Sequence, residues 1–412
     1  MNILIIASVW PEPTSSAAGR RMIDLIELFH AQGWALTYAC TATASDFCYP
    51  LESLGVKRQS IAVNDAAFDE FVKEISPDIV LYDRFMVEEQ FSWRVERECP
   101  KAMSMLETSD LHSLRNAREV ALKKGREFST ADLMSDVAYR EVASILRTDL
   151  TLVISTYEVG LLKSVFKVDE SLIHYFPFVV ETKNIEKSSK NWPIYEERNG
   201  FMCIGNFKHA PNWDSVHYLK QEIWPRIRKQ LPTAELFIYG AYTPPKAIQL
   251  NKEKDGFYIK GRADEVKAVM QRARVCLAPL RFGAGLKGKL LEAMEYGTPS
   301  ITSSVGAEAM HGDLPWNGYI EDEPQGFADA AVQLYKNKAV WQTSQLQGTD
   351  ILNECYSSSL FTQPLIEKVL SIRENLTAHR QQNFQGAMLK HHLMKSTKYM
   401  SLWIEEKNKG KE

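Results

Sequence analysis

Short apolar runs rich in isoleucine, valine and tyrosine alternate with helical patterns along most of this 412-residue chain. Consecutive strands separated by helices join as parallel neighbours through crossovers, and a parallel sheet needs cover on both faces, so the pattern predicts an α/β architecture. In the first half the runs ILIIASV, ALTYACT, KRQSIAV, DIVLYD, AMSMLET and LTLVIS read as strands. The helix after the first is the clearest: Met22, Leu25, Ile26 and Phe29 recur on one face and Gly33 closes it. The alternation restarts with FMCIG, AELFIYG, GFYIKG, VCLAPL, PSITSS and NGYIED.

Between the two series lies VETKNIEKSSKNWPIYEERNG, residues 180 to 200, which is polar and poor in aliphatics and reads as a linker. A chain of this length exceeds one ordinary core and suits two domains of roughly 150 to 200 residues. The expected organisation is therefore a Rossmann-like domain over 1–180, a linker over 181–199, a second Rossmann-like domain over 200–378 and a tail over 379–412. The tail carries Arg380, Lys390, Lys395, Lys398, Lys407, Lys409 and Lys411 against Glu405, Glu406 and Glu412. Met388, Leu389, Leu393, Met394, Tyr399, Leu402 and Trp403 give it an apolar side, so it reads as a basic amphipathic helix. Packing back on the first domain is its ordinary role; contact with anionic lipid heads is the second.

Apolar residues at 45% and charged residues at 25% are the balance of a soluble globular protein. A net charge of -3 gives no basis for nucleic-acid binding. The start, MNILIIASVW, has no basic lead-in and its apolar run is too short for a membrane span, so a cytoplasmic protein is expected. Six cysteines are scattered without C-x-x-C or zinc-type histidine spacing, and read as reduced thiols.

The chemistry points to RFGAGLKGKLLEAMEYGTP, residues 281–299. Glycines 283, 285 and 288 precede or open a helix, whose free N–H groups and partial positive charge suit an anion, and Lys287 and Lys289 add full charge. Glu292 follows Lys289 by three residues on the same helix face, where a carboxylate can accept hydrogen bonds from ribose hydroxyls. A P-loop and a dinucleotide fingerprint are both missing. A plain glycine turn with a solvated basic helix start is the bland alternative.

With its context, FMCIGNFKHAPNWDSVHYLKQEIWPRIRKQLPTAELFIYG and then GFYIKG through GTPSITSSVGAEAM, the chain resembles a retaining GT-B glycosyltransferase of family 4. The likeness is most specific in the C-terminal half and more diffuse in the N-terminal half, through AAGRR and TSDLHSLR, and reaches about residue 378. It implies two Rossmann-like domains facing a cleft. It also implies that Glu292 holds the donor ribose, as the second glutamate of the family's E-x7-E motif, and that Lys287 and Lys289 lie near the diphosphate. The first glutamate is replaced by Ala284, so the backbone of Gly283, Ala284, Gly285 and Leu286 is the expected surface for the donor sugar. In IGNFKHAPN the family's arginine is replaced by Asn206; Gly205 and Asn206 are expected to line the cleft, with Lys208 or His209 supplying charge.

By the same resemblance His112, near Glu107, Asp110 and Arg115, faces the donor sugar, although a lone histidine is more often simply packed or exposed. Ser15 to Gly19 form a small-residue loop before a helix, where Arg20 or Arg21 would meet either an anion or solvent. Arg262 falls where the family meets the nucleobase. The implied reaction is retaining transfer from a nucleotide-diphosphate sugar to a glycan, lipid-linked or other acceptor, with no cofactor, no metal and closure of the domains over the donor. Surface polysaccharide or glycoconjugate synthesis is the expected setting. A catalytically silent binding protein and another GT-B activity, such as a nucleotide-sugar epimerase, remain open.

Overall fold

The computed structural model describes residues 1–409, apart from the side chains of 393–395. Residues 410–412, and with them Lys411 and Glu412 of the basic tail, lie outside it, as do the side chains of Leu393, Met394 and Lys395. Two parallel sheets form the molecule. The first contains β1 (Asn2–Ala7), β2 (Ala35–Cys40), β3 (Lys57–Ser60), β4 (Ile79–Asp83), β5 (Met103–Glu107), β6 (Leu150–Val153) and β7 (Ile173–Tyr175), in the order β3-β2-β1-β4-β5-β6-β7. The second contains β8 (Phe201–Ile204), β9 (Leu236–Tyr239), β10 (Phe257–Gly261), β11 (Val275–Ala278), β12 (Ser300–Thr302) and β13 (Gly318–Ile320), in the order β10-β9-β8-β11-β12-β13.

Burial on both faces explains the unbroken apolar runs. Along β1, Ile3 and Ile5 join the layer of the Ala17–His30 helix, where Met22, Leu25, Ile26 and Phe29 are buried. Leu4 and Ile6 join the opposite layer with Phe91 and Leu114. In each sheet the order of strands reverses beside the first strand, β1 next to β4 and β8 next to β11, and the carboxyl ends of these strands open on a common cleft.

Two expectations change. The 181–199 segment is more than a polar linker: it contains a helix, Thr182–Ser189, and leads into the fully buried Arg198. That guanidinium donates to the carbonyl oxygens of Pro193, Met270, Ala273 and Tyr296 and to the Thr298 hydroxyl, fastening the segment to the second domain. The chain also returns earlier than residue 378. The Ser358–Glu374 helix already packs Leu365, Ile366, Val369 and Ile372 into the first domain's core. At this crossing Val180 and Ser357 form an isolated parallel bridge. The tail helix, Phe384–Lys409, then lies against the Phe85–Glu98 and Asp136–Arg147 helices.

Candidate active site

On the second-domain side of the cleft, β8 runs into Gly205. A Cβ there would lie 2.6 Å from Cγ of Asn212, so only glycine leaves room for that side chain. Asn212 donates from Nδ2 to the Asn206 carbonyl at 3.0 Å and accepts the Lys289 ammonium on Oδ1 at 2.7 Å. Lys289 is thereby fixed in the first turn of the Gly288–Glu295 helix. One turn on, the Glu292 side chain accepts no hydrogen bond among the described residues, and burial lifts its carboxyl to about 7 against the pull of Arg20 and Lys289. The neighbouring Glu295 is taken by Arg20, which reaches across from the first domain in a bidentate pair at 2.8 and 2.6 Å.

The glycine loop differs from the expectation. Its backbone is turned onto the first domain, where Glu158 Oε1 accepts the Gly285 N–H at 2.8 Å and Arg118 donates to the Gly283 carbonyl at 2.9 Å. Arg118 is in turn gripped by Glu308 at 2.9 and 2.6 Å. Ala284 joins the apolar cluster of Leu111, Leu114 and Leu161, and Leu286 packs with Ile154 and Phe178. Lys287 folds back to donate to the Gly285 carbonyl at 2.6 Å, and burial lowers its ammonium to about 8. Residues 283–287 therefore join the two domains here, with the Gly285 N–H already engaged by Glu158.

On the first-domain side His112 opens the His112–Lys123 helix, held by its backbone N–H to Glu141 Oε1 at 2.8 Å. Its Nε2 lies 3.5 Å from Asp110, and its ring meets Phe85 edge-on. Burial lowers the imidazole to about 4 even though Asp110 pulls it upward, so the ring is neutral at neutral pH. His209, from the second domain, is lowered to about 4 in the same way and feels the same Asp110. Asp110 itself, despite its burial, is drawn down to about 2 by Arg115 and His112. A neutral imidazole from each domain thus flanks one ionised carboxylate.

Four other residues singled out in the sequence have partners within the chain. Lys208 places its ammonium 3.5 Å from the centre of the Tyr242 ring, while Asn206 Oδ1 accepts its backbone N–H at 2.8 Å. Arg262 spans the rim, donating to Thr14 at 2.8 Å and to Asp264 at 3.1 Å over the Phe47 ring. Arg20 is committed to Glu295. Arg21 is buried with Glu107 at 2.6 and 2.9 Å and also donates to the Pro177 carbonyl.

The structure adds residues that sequence reasoning missed. Asn212 and Glu158 gain their roles from partners 77 and 127 positions away, beyond the reach of any local pattern. Arg84, at the end of β4, has φ 74° and ψ 157°, a region that normally admits only glycine. Its guanidinium lies 3.8 Å from Asp83 and makes no hydrogen bond among the described residues. It acts electrostatically on both cleft histidines.

No curated protein matches the chain in sequence. Among solved structures, sucrose-phosphate synthase from Thermosynechococcus elongatus aligns with a TM-score of 0.64 at 16% identity, over 92% of this chain and 100% of that one. HepE from Anabaena, solved with UDP and glucose, aligns with a TM-score of 0.65 at 12% identity, over 90% and 100%. TarM from S. aureus, solved with Fondaparinux, alpha-GlcNAc-glycerol and UDP, aligns with a TM-score of 0.66 at 9% identity, over 90% and 99%. These likenesses establish the GT-B fold. Within it, residues 198–337, the segment that carries β8 to β13 and the Lys289–Glu292 helix, match the family of glycosyl transferases group 1.

Proposed function

We propose that the protein is a retaining, metal-independent glycosyltransferase that moves a sugar from a nucleotide-diphosphate donor to a glycan or lipid-linked acceptor in surface polysaccharide or glycoconjugate synthesis. The observation that carries this reading is the Asn206–Asn212–Lys289 chain, which fixes an ammonium at a helix start one turn from the unengaged carboxylate of Glu292. Lys289 and the helix start take the diphosphate; Glu292, once ionised, takes the ribose hydroxyls. That HepE is solved with UDP and glucose, and TarM with UDP, supports a nucleotide sugar as donor. A cytoplasmic site of action fits such a donor.

As the glycosidic bond breaks, positive charge builds at the anomeric carbon and negative charge on the departing diphosphate. Lys289 stabilises the latter without a resident metal. His112 and His209, held near 4, are too weakly basic to take the acceptor's proton at neutral pH. In this reading the acceptor oxygen bonds to the anomeric carbon on the face that the phosphate leaves, which retains the configuration, while the sugar–phosphate bond breaks and the departing phosphate takes the acceptor's proton. His112 contributes a neutral hydrogen bond to the donor sugar. Titration calorimetry with a panel of nucleoside diphosphates and their sugars tests the donor site, and failure of all of them to bind would sink it. Release of nucleoside diphosphate in the presence of candidate acceptors then separates a transferase from a silent binder.

A further inference from the structure

The two faces of the Phe384–Lys409 helix have different surroundings. Inward, the Ser401 hydroxyl accepts a hydrogen bond from Arg94 at 3.1 Å, Glu405 pairs with the same arginine, and Lys390 lies 3.8 Å from Glu96. Gly386 approaches the Asp136–Arg147 helix so closely that a Cβ would sit 2.1 Å from the Leu146 carbonyl oxygen. This face accounts for the packing of the tail on the first domain. On the other face the described aromatic residues stand exposed.

Outward stand Phe384 at 77% exposure, Tyr399 at 64%, Trp403 at 59% and Met388 at 46%. At about 100° per residue these four positions fall within an arc of about 100°. Of the six lysines and arginines between residues 380 and 409, Arg380 is bound to Asp149 and Lys390 faces Glu96, which leaves Lys395, Lys398, Lys407 and Lys409 against two glutamates. Glu405 is turned inward onto Arg94 and Glu406 lies 3.3 Å from Lys409. Lys407 sits 5.0 Å from the centre of the Trp403 ring, so a cation borders the aromatic row.

An aromatic stripe edged by lysines matches the boundary between lipid headgroups and acyl chains, where rings insert and cations meet anionic lipid. It is too small for a stable protein interface: the four side chains expose on the order of 500 Å², against about 800 Å² per partner in a standard one. No described helix is long and apolar enough to cross a bilayer, so contact of this kind lies in the membrane plane. We propose that the outward face of the tail helix docks the protein on an anionic lipid surface. Resting on the glycosyltransferase reading, this points to an acceptor carried on lipid.

Cosedimentation of the full chain with vesicles of phosphatidylcholine alone, or with roughly one-third phosphatidylglycerol, tests the proposal. Binding is expected only to the anionic vesicles and should weaken with salt. The variant Phe384→Ser/Tyr399→Ser/Trp403→Ser should lose roughly tenfold or more in vesicle affinity. Lys398→Gln/Lys407→Gln, which leaves the stripe intact, should weaken binding and flatten its salt dependence. Absence of wild-type binding, equal binding to neutral vesicles, or a dimer in light scattering that the serine variant abolishes would each overturn it. Nucleotide binding in vesicle-free solution reports separately on the glycosyltransferase reading and on the folding of both variants.

Discussion

Glu158 of the first domain accepts the backbone N–H of Gly285 of the second at 2.8 Å, on the same oxygen that accepts the Leu111 N–H at 2.8 Å. Its other oxygen is buried with no partner among the described residues. Burial and the nearby Asp110 raise the carboxyl from 4.5 to about 8, so it is neutral at neutral pH. Between these values the unfolded chain has released a proton that the folded chain keeps. The contribution of Glu158 is therefore fully present below about 4.5 and is lost as pH rises through about 8. Urea unfolding at a series of pH values should show a shallower fall over this window for Glu158→Gln than for the wild type.

Gly285 has φ 61°, and a Cβ there would lie 2.9 Å from Asp110 Cβ and 3.1 Å from the Ser109 carbonyl oxygen. Gly285→Ala should therefore force the two domains apart at the loop while leaving each sheet folded. Small-angle scattering should report a larger radius of gyration, and turnover should fall by roughly tenfold or more, since closure excludes water and assembles the site.

Arg84 holds a backbone conformation that costs on the order of 1–3 kcal/mol for a residue with a Cβ. Arg84→Gly and Arg84→Ala both remove the charge, but only glycine relieves the backbone. The glycine variant should be the more stable by about 1 kcal/mol or more, reversing the usual order of the two residues. Both should lose activity to a similar degree if the guanidinium serves the cleft, which parallel thermal unfolding and turnover measurements would establish.

Lys289→Ala should weaken nucleoside diphosphate binding by roughly 10- to 100-fold, the range for losing a charge-assisted contact to phosphate. Asn212→Ala leaves the ammonium in place but frees it to move, so a smaller loss of roughly threefold to tenfold is expected. Glu292→Gln should weaken nucleosides as well as their diphosphates, because its assigned partner is the ribose. Calorimetric titrations of the three variants with nucleoside and nucleoside diphosphate distinguish these outcomes.

The central strands of both sheets were legible because burial on two faces writes itself as an uninterrupted apolar run, whereas β3, Lys57–Ser60, is polar and largely exposed. β7 was not legible: Ile173–Tyr175 is a short, partly exposed strand at the edge of its sheet. Arg198 read as one charge among many in a polar stretch, since most of its partners lie 72 to 100 positions away. The pattern of Leu365, Ile366, Val369 and Ile372 announces a buried helix face without saying which domain buries it. At the site, the spacing of Lys287, Lys289 and Glu292 was visible, but not that one lysine turns inward. That depends on Glu158 and Arg118 holding the loop, which only the meeting of two domains decides.

The bridge at Val180 gives the cleft a mechanical character. The chain passes between domains twice, and the two passes are bonded to each other: Val180 N–H to the Tyr356 carbonyl at 2.8 Å, and Ser358 N–H to the Val180 carbonyl at 3.0 Å. Tyr356 is itself pinned, its hydroxyl donating to the Met310 carbonyl at 2.8 Å. Two cords tied at one knot resist twisting and sliding far better than a single cord, yet still permit rotation about the knot. Movement of one domain on the other therefore reduces to a swing about this knot, and the Glu158–Gly285 hydrogen bond ties the two moving parts close beside it, through the cluster that Leu286 shares with Val180.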